Sequence, residues 1–204
     1  MSTQKIFNGP IDADITFLLA HGAGAGMDTP FLESIATLVA DQGIRVIRFE
    51  FPYMQEARKQ GKKRPPNSMN ILQETFLKEI SLLPNKIVIG GKSMGGRVAS
   101  MICEESDAIA CIALGYPFHP PGKLDSLRVS HLLEMKKRML IVQGTRDPFG
   151  KKEEGWEKYM AQNTRIHWLE DGEHSFVPRK QSGRTWEQNI QEAAQEIVYF
   201  IHSL

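Results

Sequence analysis

Lys86-Ile87-Val88-Ile89-Gly90-Gly91-Lys92-Ser93-Met94-Gly95-Gly96-Arg97 is the stretch around which the rest of this chain is organised. Ile87, Val88 and Ile89 form an apolar, β-branched run that predicts a strand, and Val98, Met101 and Ile102 follow at helical spacing. The pentapeptide Gly91-Lys92-Ser93-Met94-Gly95, a G-x-S-x-G pattern, therefore falls on a strand-to-helix turn. A serine at such a turn has a strained backbone and a hydroxyl pushed out of the sheet, and the flanking glycines are needed because a Cβ there would collide where strand and helix converge. Gly91-Lys92-Ser93 also matches the end of a phosphate-binding G-x-x-x-x-G-K-S loop. That loop requires a glycine at position 86, where the chain has Lys86, and residues 87–89 read as strand, so no loop is left to wrap phosphates.

Outward from this turn, strands and helices alternate. Lys5-Ile6-Phe7 reads as a short edge strand closed by the turn signal Asn8-Gly9-Pro10, and Ile15 to Ala20 as the first long strand. The latter runs into His21-Gly22-Ala23-Gly24-Ala25-Gly26, a loop whose glycines let backbone N–H groups face a ligand closely. A helix capped by Thr29, with Pro30 in its first position, buries Phe31, Ile35, Leu38 and Val39 and stops at Gly43, before a strand over Ile44 to Phe51. From Met54 to Ser68 the pattern breaks: Arg58, Lys59, Lys62, Lys63 and Arg64 precede Pro65-Pro66, which predicts a long exposed loop. A helix resumes at Asn70, with Gln73 completing a capping box. After the serine turn come strands over Ala108 to Leu114, Met139 to Val142 and Arg165 to Leu169, then a terminal helix capped by Thr185. Strand and helix in alternation predict a parallel sheet covered on both faces, with the chain, residues 1–204, forming one domain.

Composition narrows the function classes. The apolar content of 41% and charged content of 24% are those of an ordinary globule with material for a core. A formal charge of +1 gives no global attraction to nucleic acid or membrane, and nucleic acid is not the expected partner. The cysteines, Cys103 and Cys111, are too few for a disulfide framework or a four-ligand zinc site, so a reduced, cytoplasmic setting with no metal or cofactor is expected. The first apolar run, Ile15 to Ala20, is too short for a signal or membrane span.

In a parallel sheet the loops at the carboxyl ends of the strands share one edge, where ligands bind. Ser93, Asp147 and His174 each follow a strand. Serine is a weak nucleophile at neutral pH; a histidine must take its proton, and a carboxylate must hold that histidine in the right tautomer. The chain order Ser93, Asp147, His174 suits this sheet. Asp171 competes with Asp147 but stands only three residues before His174, which would demand a tight local turn. Backbone N–H groups of Met94 and Ala23 are the candidate oxyanion donors, and His21 is read as ordering its loop rather than as a base. Phe118, Phe149, Trp156 and Phe176 lie on loops able to roof the site and are the candidate substrate-binding residues; the alternative is that they are ordinary core.

Four segments carry a family resemblance: His21-Gly22-Ala23-Gly24; Gly91 to Arg97; Gly115-Tyr116-Pro117-Phe118-His119-Pro120-Pro121-Gly122-Lys123; and Gln143-Gly144-Thr145-Arg146-Asp147-Pro148-Phe149-Gly150. The chain resembles the α/β-hydrolase superfamily throughout, close to its dienelactone-hydrolase-like branch. More narrowly, it is similar to a small group that includes a testis-expressed hydrolase-like protein and a subunit of a histone-acetylating chromatin complex. The resemblance implies a three-layer αβα fold, a mostly parallel sheet of about six or seven strands, and a Ser93, Asp147, His174 triad. It does not imply a substrate. The chain lacks room for the usual antiparallel strand pair at the start of the fold, and residues 115–138 are too short for a lid domain. Dienelactone hydrolases use a cysteine nucleophile, so Ser93 favours simple ester or thioester chemistry. Two function classes result: a serine hydrolase working through an acyl-enzyme on Ser93, and a non-catalytic interaction module that keeps the fold. The basic run Arg58 to Arg64 is either solvated surface or a means of drawing in an anionic ester.

Overall fold

The computed structural model describes residues 4–204. Seven strands form one sheet in the order β1-β3-β2-β4-β5-β6-β7: β1 (Lys5–Asn8), β2 (Ile15–Ala20), β3 (Arg45–Phe49), β4 (Lys86–Lys92), β5 (Ala110–Leu114), β6 (Arg138–Gly144) and β7 (Thr164–Leu169). Only β1, at the edge, runs antiparallel; every other neighbouring pair is parallel. The central pair is β2 and β4, with Ala20 opposite Gly91, so the loops after both strands leave the sheet side by side.

Strand residues alternate between two helical layers, because successive side chains point to opposite faces. Ile87 and Ile89 of β4, with Cys111, Ala113 and Ile141, pack against α3 (Met69–Ser81) and α4 (Met94–Ile102). Val88, Ile112, Leu140 and Val142 face the other way, onto α1 (Pro30–Ala40) and α5 (Trp186–His202). This is the three-layer αβα arrangement. Its boundaries follow capping chemistry: the Thr29 side chain accepts from Leu32 N at 3.3 Å with Pro30 behind it, and Thr185 forms a capping box with Gln188.

Two local expectations are corrected. Residues 54–68 are not all loop, because Pro52–Gln60 form a helix, α2, which ends at Gly61 in the left-handed conformation (φ 63°). The helix carries charge on nearly every side and buries only Tyr53, so it shows no apolar stripe in the sequence. The helix α3 begins one residue earlier than expected, after Ser68, and the Asn70–Gln73 capping box does not form.

Between β5 and β6 the chain holds loops and one short 3₁₀ turn, Ser130–Glu134, and among the described residues no lid covers the carboxyl edge of the sheet. Among the described residues no helix is long and apolar enough to cross a membrane.

Candidate active site

Ser93 sits at the β4–α4 junction with φ 51° and ψ −113°, a conformation that costs energy in a non-glycine residue. The turn is held by Ser93 N donating to Leu114 O at 2.9 Å and Arg97 N donating to Ser93 O at 3.0 Å. Its tightness depends on glycine: a Cβ on Gly95 would stand 2.6 Å from His21 O, and one on Gly91 2.6 Å from the Gly95 carbonyl carbon. The strain turns the hydroxyl towards the loop after β7, where Ser93 Oγ is 3.0 Å from His174 Nε2.

On the other side of the same ring, His174 Nδ1 lies 2.8 Å from Asp147 Oδ2. An ionised carboxylate only accepts, so Nδ1 carries the proton and Nε2 is left to accept from the serine hydroxyl. Asp147 is fully buried; its Oδ1 accepts from Phe149 N at 2.9 Å and its Oδ2 from Gln143 Nε2 at 2.9 Å. Gln143 is itself fully buried, accepting from Tyr116 N at 2.6 Å and donating also to Tyr116 O and Gly150 O. The His174 loop is braced separately. Glu173 Oε1 accepts from Ser175 N at 2.6 Å, Trp186 Nε1 donates to Ser175 O, and Asn189 Nδ2 donates to Phe176 O. Asp171 turns away from the imidazole: the Arg179 guanidinium, assisted by Arg146, engages its carboxyl and holds it below the usual carboxylate range.

A cavity of about 430 Å³ opens beside Ser93, walled by the Gly22–Gly26 loop, Phe31, Leu32, Phe149 and His174. Of the four aromatics expected to roof it, Phe149 does line it, its ring 4.3 Å from that of His174. Phe118 and Trp156 do not. They stack on each other at 4.3 Å within the core on the α3/α4 side of the sheet, where Trp156 Nε1 donates to Lys151 O. Phe176 is fully buried in the opposite core, its ring against that of Phe31. Placement on a loop was the only signal for these three, and their loops fold down onto the core. The cavity ring that sequence reading assigned to the helix core is Phe31.

Ala23 lines the cavity, and Met94 opens α4, so its N–H has no intrahelical acceptor. Among the described residues the N–H groups of Ala23, Gly24, Ala25 and Gly26 meet no protein acceptor. The loop is fixed through its other atoms. His21, fully buried, accepts from Phe51 N through Nε2 and faces Gly22 O through Nδ1, and burial holds its pKa below the ordinary value. Tyr53 Oη donates to Gly22 O and Ala23 O at 3.1 and 3.0 Å. Buried Glu50 accepts from Met27 N and from Arg58 Nε, while Arg58 also pairs with Asp28. Arg58 is therefore a strut for the glycine loop, which corrects its reading as one of five cations on a free loop.

Lys92 has a divided environment. The residue lines the cavity, while its Nζ is shut off from solvent, makes no hydrogen bond among the described residues and sits 5.5 Å from the centre of the Phe31 ring. Burial lowers its pKa to about 8 against the opposing fields of Asp147 and Glu173.

The arrangement can move a proton from a serine hydroxyl to an imidazole whose tautomer a buried carboxylate fixes, beside a loop of unpaired N–H donors. Solved structures share the fold. A dienelactone hydrolase from Anabaena variabilis superposes with a TM-score of 0.74 at 19% identity, covering 98% of this chain and 91% of that one. A monoacylglycerol lipase from Paleococcus ferrophilus gives 0.74 at 14% identity, covering 100% and 99%. A serine hydrolase without lid from Xanthomonas campestris gives 0.68 at 15% identity, covering 95% and 87%. The model of the alpha/beta hydrolase domain family matches residues 13–202, and the chain belongs to that family.

Proposed function

We propose that this protein is a serine hydrolase that cleaves a small-molecule carboxylic ester or thioester through an acyl-enzyme on Ser93. The observation that carries this reading is the unbroken relay from Ser93 Oγ to His174 Nε2 and from His174 Nδ1 to Asp147, at 3.0 and 2.8 Å, built on a serine with positive φ. A fold kept only for binding has no use for that strain.

In the proposed reaction Ser93 Oγ attacks the carbonyl carbon while His174 Nε2 takes its proton, and Asp147 stabilises the imidazolium that forms. The carbonyl oxygen becomes an oxyanion facing the N–H groups of Ala23 and Met94. Collapse breaks the bond to the leaving oxygen or sulfur, which receives the proton from His174. Water then repeats the sequence on the acyl-enzyme and frees the acid. The cavity beside Ser93 is mostly apolar and takes the acyl group, and its size of about 430 Å³ without a lid suits a short chain.

The four motif segments support placing the chain in the narrower testis-expressed and chromatin-subunit-like group, as a single unit over residues 1–204. The two free, buried cysteines, Cys103 and Cys111, support a reducing, cytoplasmic setting.

Labelling with a fluorophosphonate probe tests the reading. Wild type is expected to label, and Ser93→Ala and His174→Ala to lose the signal. Folded wild-type protein that does not label would overturn it in favour of an interaction module.

A further inference from the structure

The glycine loop bounds a second hollow on the side away from Ser93. It measures about 550 Å³ and shares Ala23, Gly24, Ala25, Gly26 and Thr29 with the serine cavity. Its outer wall is α2 and the segment after it, with Lys62, Lys63 and Arg64 at the rim. We propose that this hollow receives the leaving group of the substrate and that this group carries a phosphate. The ester lies across the glycine loop, acyl chain in the apolar cavity and phosphorylated alcohol or thiol in the basic hollow. This deepens the hydrolase reading and rests on it.

Charge is the first reason. The lining holds Arg58, Lys62, Lys63 and Arg64 against a single carboxylate, Asp28, and Asp28 is already paired with Arg58. Arg58 is also committed to Glu50, so the cations that can turn to a ligand are the three at the rim. Arg64 pairs with Glu56 at 3.0 Å, but both side chains are well exposed, and such surface pairs are weak enough for a phosphate to displace. The rim is held in place although it is exposed, since Asn67 Oδ1 accepts from Tyr53 N at 2.8 Å and closes the segment back onto α2.

The second reason is independent of side chains. Among the described residues the N–H groups of Gly24, Ala25 and Gly26 meet no protein acceptor, and a run of such donors in a glycine loop is suited to an anion. They lie between the two cavities, where the first atoms of a leaving group would pass. The N-terminus of α1 opens at the same place through Thr29 and adds positive potential. A phosphate dianion with three acceptor oxygens matches several cations and N–H groups at once, better than a monovalent carboxylate does. The hollow offers no aromatic ring, so a nucleic acid strand would find no base to stack on.

The test uses matched esters that differ by one phosphate: acetyl glycerol against acetyl glycerol phosphate, and S-acetyl pantetheine against S-acetyl phosphopantetheine. In wild type the phosphorylated member of at least one pair is expected to have a kcat/KM about tenfold or more higher at low salt. This advantage should shrink with added salt and fall towards unity in Lys62→Gln/Lys63→Gln/Arg64→Gln. Binding is read separately, by calorimetry on Ser93→Ala with glycerol phosphate, phosphopantetheine and inorganic phosphate. A phosphorylated alcohol or thiol should bind more tightly than inorganic phosphate, and the triple substitution should weaken the binding of both. Hydrolysis of both pairs with a ratio of one, or binding no better than that of inorganic phosphate, overturns the leaving-group proposal. Phosphate-dependent binding to Ser93→Ala, together with a folded wild type that hydrolyses neither pair and takes no fluorophosphonate label, overturns the hydrolase reading instead.

Discussion

Replacing Gln143 by methionine separates support of the Asp147–His174 pair from support of the fold. Gln143 is fully buried and makes four hydrogen bonds, accepting from Tyr116 N at 2.6 Å and donating to Asp147 Oδ2, Tyr116 O and Gly150 O at 2.9, 3.2 and 3.3 Å. Methionine has nearly the same volume and none of these partners. The Tyr116 N–H is then buried without an acceptor, at a cost of about 1–3 kcal/mol, and the bond to a carboxylate that is lost is worth about 1.5–3 kcal/mol. The added apolar burial returns about 1 kcal/mol, so the variant should be about 1.5–5 kcal/mol less stable, read as a lower urea midpoint with an unchanged slope. Asp147 keeps its bond from Phe149 N and its contact with His174. On the proposed mechanism kcat on a small activated ester should therefore fall by about 10–100-fold, which corresponds to about 1.4–2.7 kcal/mol of lost transition-state stabilisation, with KM little changed. Wild-type kcat in the destabilised variant would refute a positioning role for Gln143. A loss as large as that of Asp147→Asn would refute the claim that Phe149 N–H holds the carboxylate without it.

On the proposed mechanism Asp147→Asn should lower kcat by about 10⁴ through the wrong imidazole tautomer, whereas Asp171→Asn, whose carboxyl pairs with Arg179 and Arg146, should act mainly on stability; the reverse pattern would show that the acid is misassigned. Lys92→Met should raise stability at pH 7, because it removes a buried ammonium with no hydrogen bond. In wild type the folded pKa of Lys92 of about 8 lies below the unfolded value of about 10.4, so the unfolded state binds more protons between them and stability rises with pH across that window; denaturation at pH 7 and 9 should show this rise in wild type and lose it in the variant. Among acyl esters kcat/KM should be highest for short chains, and a steady rise from acetyl to dodecanoyl would contradict the cavity of about 430 Å³ as the acyl site.

The parts of the site that could be read from sequence are those the backbone itself demands. Ser93 with φ 51° between close-packed glycines, and the order of three residues after three parallel strands, are consequences of chain direction and hard-sphere contact, which leave their mark in residue type and spacing. Side-chain destinations are a tertiary outcome. Phe118, Trp156 and Phe176 occupy loops after strands just as Phe149 does, yet only Phe149 stays beside His174. Gln143 shows the same limit from the other direction: it opens one of the four segments that carry the resemblance, but as the penultimate residue of a buried strand it gives no sign of its partner, because its bond to Asp147 depends on that residue folding back over it four residues later.

Arg58 shows most clearly why charge cannot be counted along a chain. In sequence it is one of five basic residues in a run; in the fold it reaches back from α2 to buried Glu50, which also accepts from Met27 N at the end of the glycine loop. Its guanidinium offsets a carboxylate that would otherwise be buried unpaired, a situation that costs several kcal/mol. Any attraction for an outside anion, as proposed above, would therefore come from the rim beyond Gly61, and the strut and the rim are separable. On the proposed reading, charge removal at Lys62, Lys63 and Arg64 should act on a ligand's phosphate, whereas removal at Arg58 should act first on the glycine loop that carries Ala23. A five-residue neutralisation would mix the two effects, which is why a three-residue variant is the one that reads the anion site.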